Sequence, residues 1–109
     1  MASAFSVLGQ VNPAATTLTT LYTVPASTQA VCSTLVVCNQ GGGAGTFRVA
    51  VRPAGAVVAA KHYLAYDTAI AANAVVTFTI GITLEATDIV SVYASSTTMS
   101  FSLFGQQIT

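Results

Sequence analysis

The residues best suited to catalysis or metal binding in this sequence are a single histidine, His62, and two cysteines, Cys32 and Cys38. A serine-type triad or a zinc site would have to use that histidine. The cysteines lie on a different predicted strand from His62, in the apolar run VCSTLVVC, and their spacing is not that of zinc ligands. We therefore expect no catalytic residue, metal site or cofactor, and interpret His62 as a sheet residue beside Tyr63.

The two cysteines are also too far apart to bond to each other if their run is a strand. A strand rises about 3.3 Å per residue, which separates them by roughly 20 Å, whereas a disulfide requires Cα atoms within about 7 Å. Both are predicted to be reduced and to act as small buried hydrophobic residues. This fits synthesis in a reducing compartment.

The acidic residues and the glycine-rich run offer no clearer chemistry. Asp67, Glu85 and Asp88 occur singly, at positions typical of strand ends and turns, and not as the carboxylate pair that hydrolysis requires. The run at 41–45 continues into the strand sequence TFR and not into the Gly-Lys-Ser/Thr of a phosphate-binding loop. The glycine-rich run is predicted to be a hairpin turn between two strands. Because none of these residues forms a reactive group, the chain is predicted not to be an enzyme.

Arg48 and Arg52 are the most informative charged pair, because alternation places them on one face of the same strand. Arginine is enriched at protein interfaces and can grip a carboxylate with two hydrogen bonds. One interpretation is that both arginines anchor a neighbouring subunit. The other is that they are solvated on an outer face, and the sequence leaves both open.

The elements that position these residues are predicted to be β-strands. Apolar residues recur at every second position and are punctuated by Gly, Pro and Asn, with no sustained helical period. The strand at 46–53 is the clearest, with Phe47, Val49 and Val51 on one face. The pattern predicts a single antiparallel β-sandwich of about eight short strands, of jelly-roll or immunoglobulin-like type.

We expect this sandwich to cover residues 16–109 and to be preceded by an N-terminal arm over residues 1–15. The arm is uncharged, has few large apolar side chains, and is separated from the sandwich by the break at Asn12-Pro13. Its residues 4–9 are interpreted as either a short strand or an extended arm. It cannot bury enough surface to fold alone. Phe5, Val7 and Leu8 are therefore predicted to be interface residues that dock on a neighbouring subunit.

Charge is scarce in the whole chain. The 109 residues include three basic and three acidic residues, with zero net charge, and 53% are hydrophobic. A free monomer with such a surface tends to associate, so a homo-oligomer is expected. Nucleic acid is not an expected partner because phosphate binding needs clustered Lys and Arg. A membrane is not expected either, because no run of 18 apolar residues occurs.

Several segments resemble small virion structural proteins of tailed bacteriophages. They are LYTVPAST at 21–28, the Val/Cys strand after it, FRVAVRPAG at 47–55, HYLAYD at 62–67 and FSLFGQQIT at 101–109. The resemblance implies a capsid cement or decoration subunit that stabilises the shell by packing on neighbours such as the major capsid protein. Alternatives are a tail, neck or baseplate component, or a receptor- or glycan-binding module. The implied location is the virion, after synthesis in the host cytoplasm.

Overall fold

A computed structural model describes residues 3–109 of the chain. These residues form eight β-strands and two short 3₁₀ turns, at Pro53–Gly55 and Ala60–His62. The strands are β1 (Ser3–Val11), β2 (Thr19–Thr23), β3 (Gln29–Asn39), β4 (Gly45–Arg52), β5 (Tyr63–Ile70), β6 (Val75–Leu84), β7 (Ile89–Ala94) and β8 (Met99–Ile108). The prediction of an all-β sandwich of about eight strands is confirmed.

The strands form two antiparallel four-stranded sheets that pack face to face. Sheet A has the order β1-β8-β3-β6 and sheet B the order β2-β7-β4-β5. The pairs β1–β8, β2–β7, β3–β6 and β4–β5 are those of one long hairpin that has been rolled up, and the contacts β8–β3 and β7–β4 close the roll. This is the jelly-roll arrangement, one of the two sandwich types that the sequence left open.

The predicted N-terminal arm is part of the sandwich where the structure describes it. Residues 3–11 form β1, which pairs with β8 from Ser3 opposite Ile108 to Val11 opposite Phe101. The Asn12 side chain then donates hydrogen bonds to the carbonyls of Thr97 and Met99. The pairing of β1 with β8 satisfies backbone groups of β8 that would otherwise lie at a sheet edge. Met1 and Ala2 lie outside the described residues.

The glycine-rich segment at 41–45 also differs from the hairpin turn that the sequence predicted. It connects β3 of sheet A to β4 of sheet B, so it is a crossing between sheets and not a hairpin turn. The buried Asn39 side chain fixes this crossing by donating hydrogen bonds to the carbonyls of Gly43 and Ala71 and by accepting one from the Gly41 N–H.

Two β-bulges in sheet A change which side chains face the core. Each lies opposite Phe104 of β8, one in β1 at Leu8 and one in β3 at Ser33. A bulge inserts one residue into a strand and so reverses the alternation beyond it. Cys32 therefore faces inward and is fully buried, whereas Cys38 is half-buried.

The core lies between the sheets and centres on three aromatic rings. Phe47 of β4 meets Phe78 of β6 and Phe101 of β8 in edge-to-face contacts, with ring centroids 5.9 Å and 6.1 Å apart. Phe47 and Phe101 are fully buried, and burial of each such ring stabilises the fold by about 1.5–3 kcal/mol. Aliphatic side chains from both sheets complete this layer.

Candidate functional site: an uncharged sheet face

The charged residues of the chain are divided unequally between the two sheets. The four strands of sheet A contain no Asp, Glu, Lys or Arg. Arg48 and Arg52 lie on β4 and Asp67 on β5, all in sheet B. The other three, Lys61, Glu85 and Asp88, lie in connections. Sheet A is therefore uncharged on both of its faces.

The outer face of sheet A is built from cross-strand rows of side chains, which the pairing registers define. One row runs Val7, Phe104, Thr34 and Thr79, and the next runs Gln10, Ser102, Val36 and Thr77. Beyond them lie Phe5 with Gln106 at one end and Ser100, Cys38 and Val75 at the other. All of these side chains are uncharged, so the face presents methyl, hydroxyl, amide, thiol and aromatic groups.

The most exposed apolar part of this face lies on β1. Phe5 is 84% exposed and Val7 is 52% exposed. Together with Ser33 and Phe104 they border a shallow depression of about 360 Å³. Exposed large apolar side chains that lie close together are typical of surfaces that bind other proteins.

The predicted interface residues of the N-terminal segment therefore divide into two groups. Phe5 and Val7 lie on the outer face of sheet A. Leu8 instead packs against the core, because the bulge turns it inward. Docking of Leu8 on a neighbour, which the sequence predicted, does not fit its place in this structure.

Arg48, on the outer face of sheet B, is held by groups of its own chain. Its guanidinium lies between the rings of Tyr66 and Tyr93, at 4.1 Å and 4.2 Å from their centroids. Its Nε and Nη2 donate to the two carboxylate oxygens of Asp67, at 2.7 Å and 3.3 Å. The hydrogen bond to Asp67 raises the pKa of Arg48 further above its usual value. The Arg48 guanidinium therefore pairs with a carboxylate of its own chain.

Arg52 is likewise occupied within the chain, but by neutral acceptors. It donates to the carbonyls of Ala56 at 2.7 Å and Gly55 at 3.3 Å, and to the buried Ser91 hydroxyl at 3.2 Å. These bonds tie the connection after β4 to β7. The arginines thus share one strand, as predicted, but each has a structural role that neither sequence interpretation included.

The remaining chemistry-bearing residues also make local structural contacts. His62 is 8% exposed, and its Nδ1 accepts a hydrogen bond from the Ala59 N–H at 3.0 Å. The Asp88 carboxylate accepts from the N–H groups of Ala54 and Glu85 at 2.8 Å and 2.9 Å. In the described part of the chain, no group of three or more His, Cys, Asp or Glu side chains converges in a way that could hold a metal ion. The His62 and Asp88 side chains thus hold turns in place.

Comparison with models of known protein families, with curated proteins and with solved structures finds no match to this chain. Among residues 3–109 there is no helix of the length and hydrophobicity needed to cross a membrane. The candidate site is the outer face of sheet A, which is uncharged and exposes Phe5 and Val7.

Sequence reasoning did not identify this face as a site. Its members come from four strands that are distant along the chain, and no single segment of them stands out. The available signal was the alternation of Ser and Thr with apolar residues in β6 and β8, without any charge. That pattern indicates an outer face but not which strands lie beside one another.

Proposed function

We propose that this protein is a non-enzymatic structural subunit that packs against neighbouring proteins through the outer face of sheet A. The observation that carries the proposal is a broad face without charge, on which Phe5 and Val7 are exposed. Burying a charged side chain at a contact is costly unless it is paired, whereas hydroxyl and methyl groups carry a much smaller penalty. Such a face suits a permanent contact.

The size of the face fits this role. Four strands spaced about 4.8 Å apart, each about 30 Å long, cover roughly 600 Å². Packing on an equal surface would bury about 1,200 Å² in total, which is the lower end of a specific protein–protein interface. At roughly 25 cal/mol per Å² of apolar area, repeated contacts of this kind would stabilise a large shell.

The proposal that the protein is not an enzyme is supported by the hydrogen bonds that its reactive side chains already make within the chain. His62 uses Nδ1 to accept from Ala59, and Asp67 binds Arg48. Asp88 accepts hydrogen bonds from two backbone N–H groups. A general base must reach a nucleophile or a substrate proton, and these side chains are committed to positions in turns and strands.

The particular assembly we propose is a tailed-bacteriophage particle, in which the chain is a capsid cement or decoration subunit on the major capsid protein. The support is the resemblance of the segments at 21–28, 47–55, 62–67 and 101–109 to virion structural proteins. The jelly roll is compatible with it, since viral capsid proteins use this fold, as do lectins and cupins. A tail, neck or baseplate position would use the same face.

The test is binding of purified subunit to phage particles assembled without it, measured by co-sedimentation. The double variant Phe5→Lys/Val7→Lys places two charges on the face, and we expect it to weaken binding by about tenfold or more, ~1.4 kcal/mol. The matched control, Thr20→Lys/Val57→Lys, adds the same charge at exposed positions outside sheet A and should bind like the wild type. Circular dichroism verifies that each variant is folded.

Two outcomes would contradict the proposal at different levels. Unchanged binding of Phe5→Lys/Val7→Lys would exclude the outer face of sheet A as the contact. Failure of the wild-type subunit to bind any part of the particle would overturn the assignment to a phage assembly.

A further inference from the structure

The edge strand of sheet A, β6, has an open side that lacks the usual protection. It pairs with β3 on one side, and no other strand of the described chain pairs with it. Its sequence, VVTFTIGITL, contains no charge and no proline, and eight of its ten residues are β-branched or aromatic. A long edge of this composition is a ready template for another strand.

The other three edges of the sandwich carry features that interfere with pairing. β1 has its bulge at Leu8, and β2 is five residues long. β5 has two register irregularities against β4 and carries Asp67 with a φ of 49°. Short strands, bulges and charged residues are the means by which natural sheets block edge contacts.

The irregular part of β6 leaves its first half intact. Gly81 has a φ of 54° and lies where the register against β3 shifts. From Val75 to Thr79, however, each residue pairs in order with Cys38 to Thr34. This five-residue stretch therefore presents a regular free edge.

The neighbouring edge of sheet B adds apolar surface beside β6. Leu64 of β5 is 55% exposed, and it borders a small cavity of about 50 Å³ together with Phe78 of β6 and the core residues Leu35 and Val49. The seam between the two sheets is therefore incompletely covered on this side. A second layer placed here would bury Leu64.

We propose that β6 pairs antiparallel with β6 of a second copy of this chain, around a two-fold axis at Thr77. In this register Val75 lies opposite Thr79 of the second copy, Val76 lies opposite Phe78, and Thr77 lies opposite its own equivalent. The register keeps Val76 and Phe78 on the core side, as they are within one chain. The two sheets A then form one continuous eight-stranded sheet.

A second copy is the occupant that this edge fits best. An isologous contact uses the same patch on both partners, and this uncharged stretch meets itself without like-charge repulsion. The five residues of β6 that pair in this register span about 17 Å, and the smallest extent of the molecule is 19 Å. These dimensions give roughly 300 Å² per copy, the size of a small contact, which suits a dimer in measurable equilibrium with the monomer.

A cysteine at the proposed two-fold axis tests the register directly. Thr77→Cys is made in a Cys38→Ser background, and the protein is oxidised and run on a non-reducing gel. Directly opposed residues of antiparallel strands have Cβ atoms about 4.5–5.5 Å apart, close to the geometry of a disulfide. We expect a covalent dimer from Thr77→Cys and none from the control Thr20→Cys, an exposed threonine on β2.

A second measurement keeps the proposal testable if the cysteine variant misfolds. Sedimentation equilibrium should show a wild-type dimer whose dissociation constant rises about tenfold or more, ~1.4 kcal/mol, in Leu64→Lys. Val57→Lys, at a side chain that is 86% exposed, is the matched control and should leave the dimer unchanged. A monomeric wild-type protein, or a dimer that survives Leu64→Lys and does not cross-link at Thr77, would overturn the proposal.

This contact uses a different surface from the proposed docking face, so the two proposals fail separately. Phe5→Lys/Val7→Lys should reduce binding to particles and leave the dimer intact. Leu64→Lys should weaken the dimer and leave binding to particles intact.

Discussion

Burial gives the two cysteines different reactivities. Cys32 is fully buried on the inner face of β3, and desolvation raises the pKa of its thiol to about 11. Cys38 lies beyond the bulge at Ser33, where the strand turns it toward the outer face of sheet A. The thiolate is the reactive form, so a buried thiol with a raised pKa reacts slowly.

We expect iodoacetamide to modify Cys38 in the native protein and to leave Cys32 unmodified until the chain unfolds. Intact-mass and peptide mass spectrometry after timed labelling would measure this. A sample unfolded in denaturant is the control, in which both thiols should react at similar rates. Equal labelling of both in the native state would mean that Cys32 is not buried as described.

The surroundings of Arg48 show what could be predicted at the level of single residues. Alternation placed Arg48 on the face opposite Phe47 and Val49, and the structure agrees. Its partners could not be predicted, because Asp67 and Tyr66 come from β5 and Tyr93 from β7. Only the order of strands in sheet B brings these residues beside β4.

Among the strands, β1 contributes to stability although it lies at a sheet edge. It covers the edge of β8, and Leu8 and Val11 pack against the core. Its removal would expose the backbone groups of a strand that lies in the interior of sheet A. Unpaired buried backbone groups and lost apolar burial both disfavour the folded state.

We therefore expect deletion of residues 1–11 to lower the free energy of unfolding by several kcal/mol, about the sum of two lost aliphatic contacts and the lost strand pairing. Thermal and denaturant unfolding would measure the change. Phe5→Ser is the matched control, because Phe5 is exposed and its loss should leave the melting temperature nearly unchanged. A deletion variant as stable as the full chain would support a detachable arm.

The strands were predictable from local patterns, but their partners were not. The alternation at 46–53 corresponds to β4, and the apolar run containing both cysteines corresponds to β3. The N-terminal segment was predicted to be a separate arm because Asn12-Pro13 interrupts the pattern. Its partner, β8, lies at the other end of the sequence, and no local signal connects the two.

For the whole molecule, contacts through sheet A should depend little on salt. Neither its outer face nor the edge of β6 carries a charge, and ionic strength mainly screens interactions between charges. We expect the dissociation constants of the dimer and of the particle complex to be nearly the same at low and high sodium chloride. A steep loss of binding with added salt would indicate that the charged residues of sheet B form the contact.

The separation of charge between the sheets also has a consequence for how single molecules behave in bulk solution. The protein is a slab of 45 × 27 × 19 Å with unlike broad sides. One side is apolar and hydroxyl-rich, and the other bears two arginines and the Asp67 carboxylate. In the language of colloids it is a two-faced particle. At an air–water or oil–water boundary it would adsorb in one orientation, with sheet A toward the apolar phase and sheet B toward water. This geometry predicts that solutions of the protein foam and lose protein to plastic surfaces. A mild non-ionic detergent should reduce both effects.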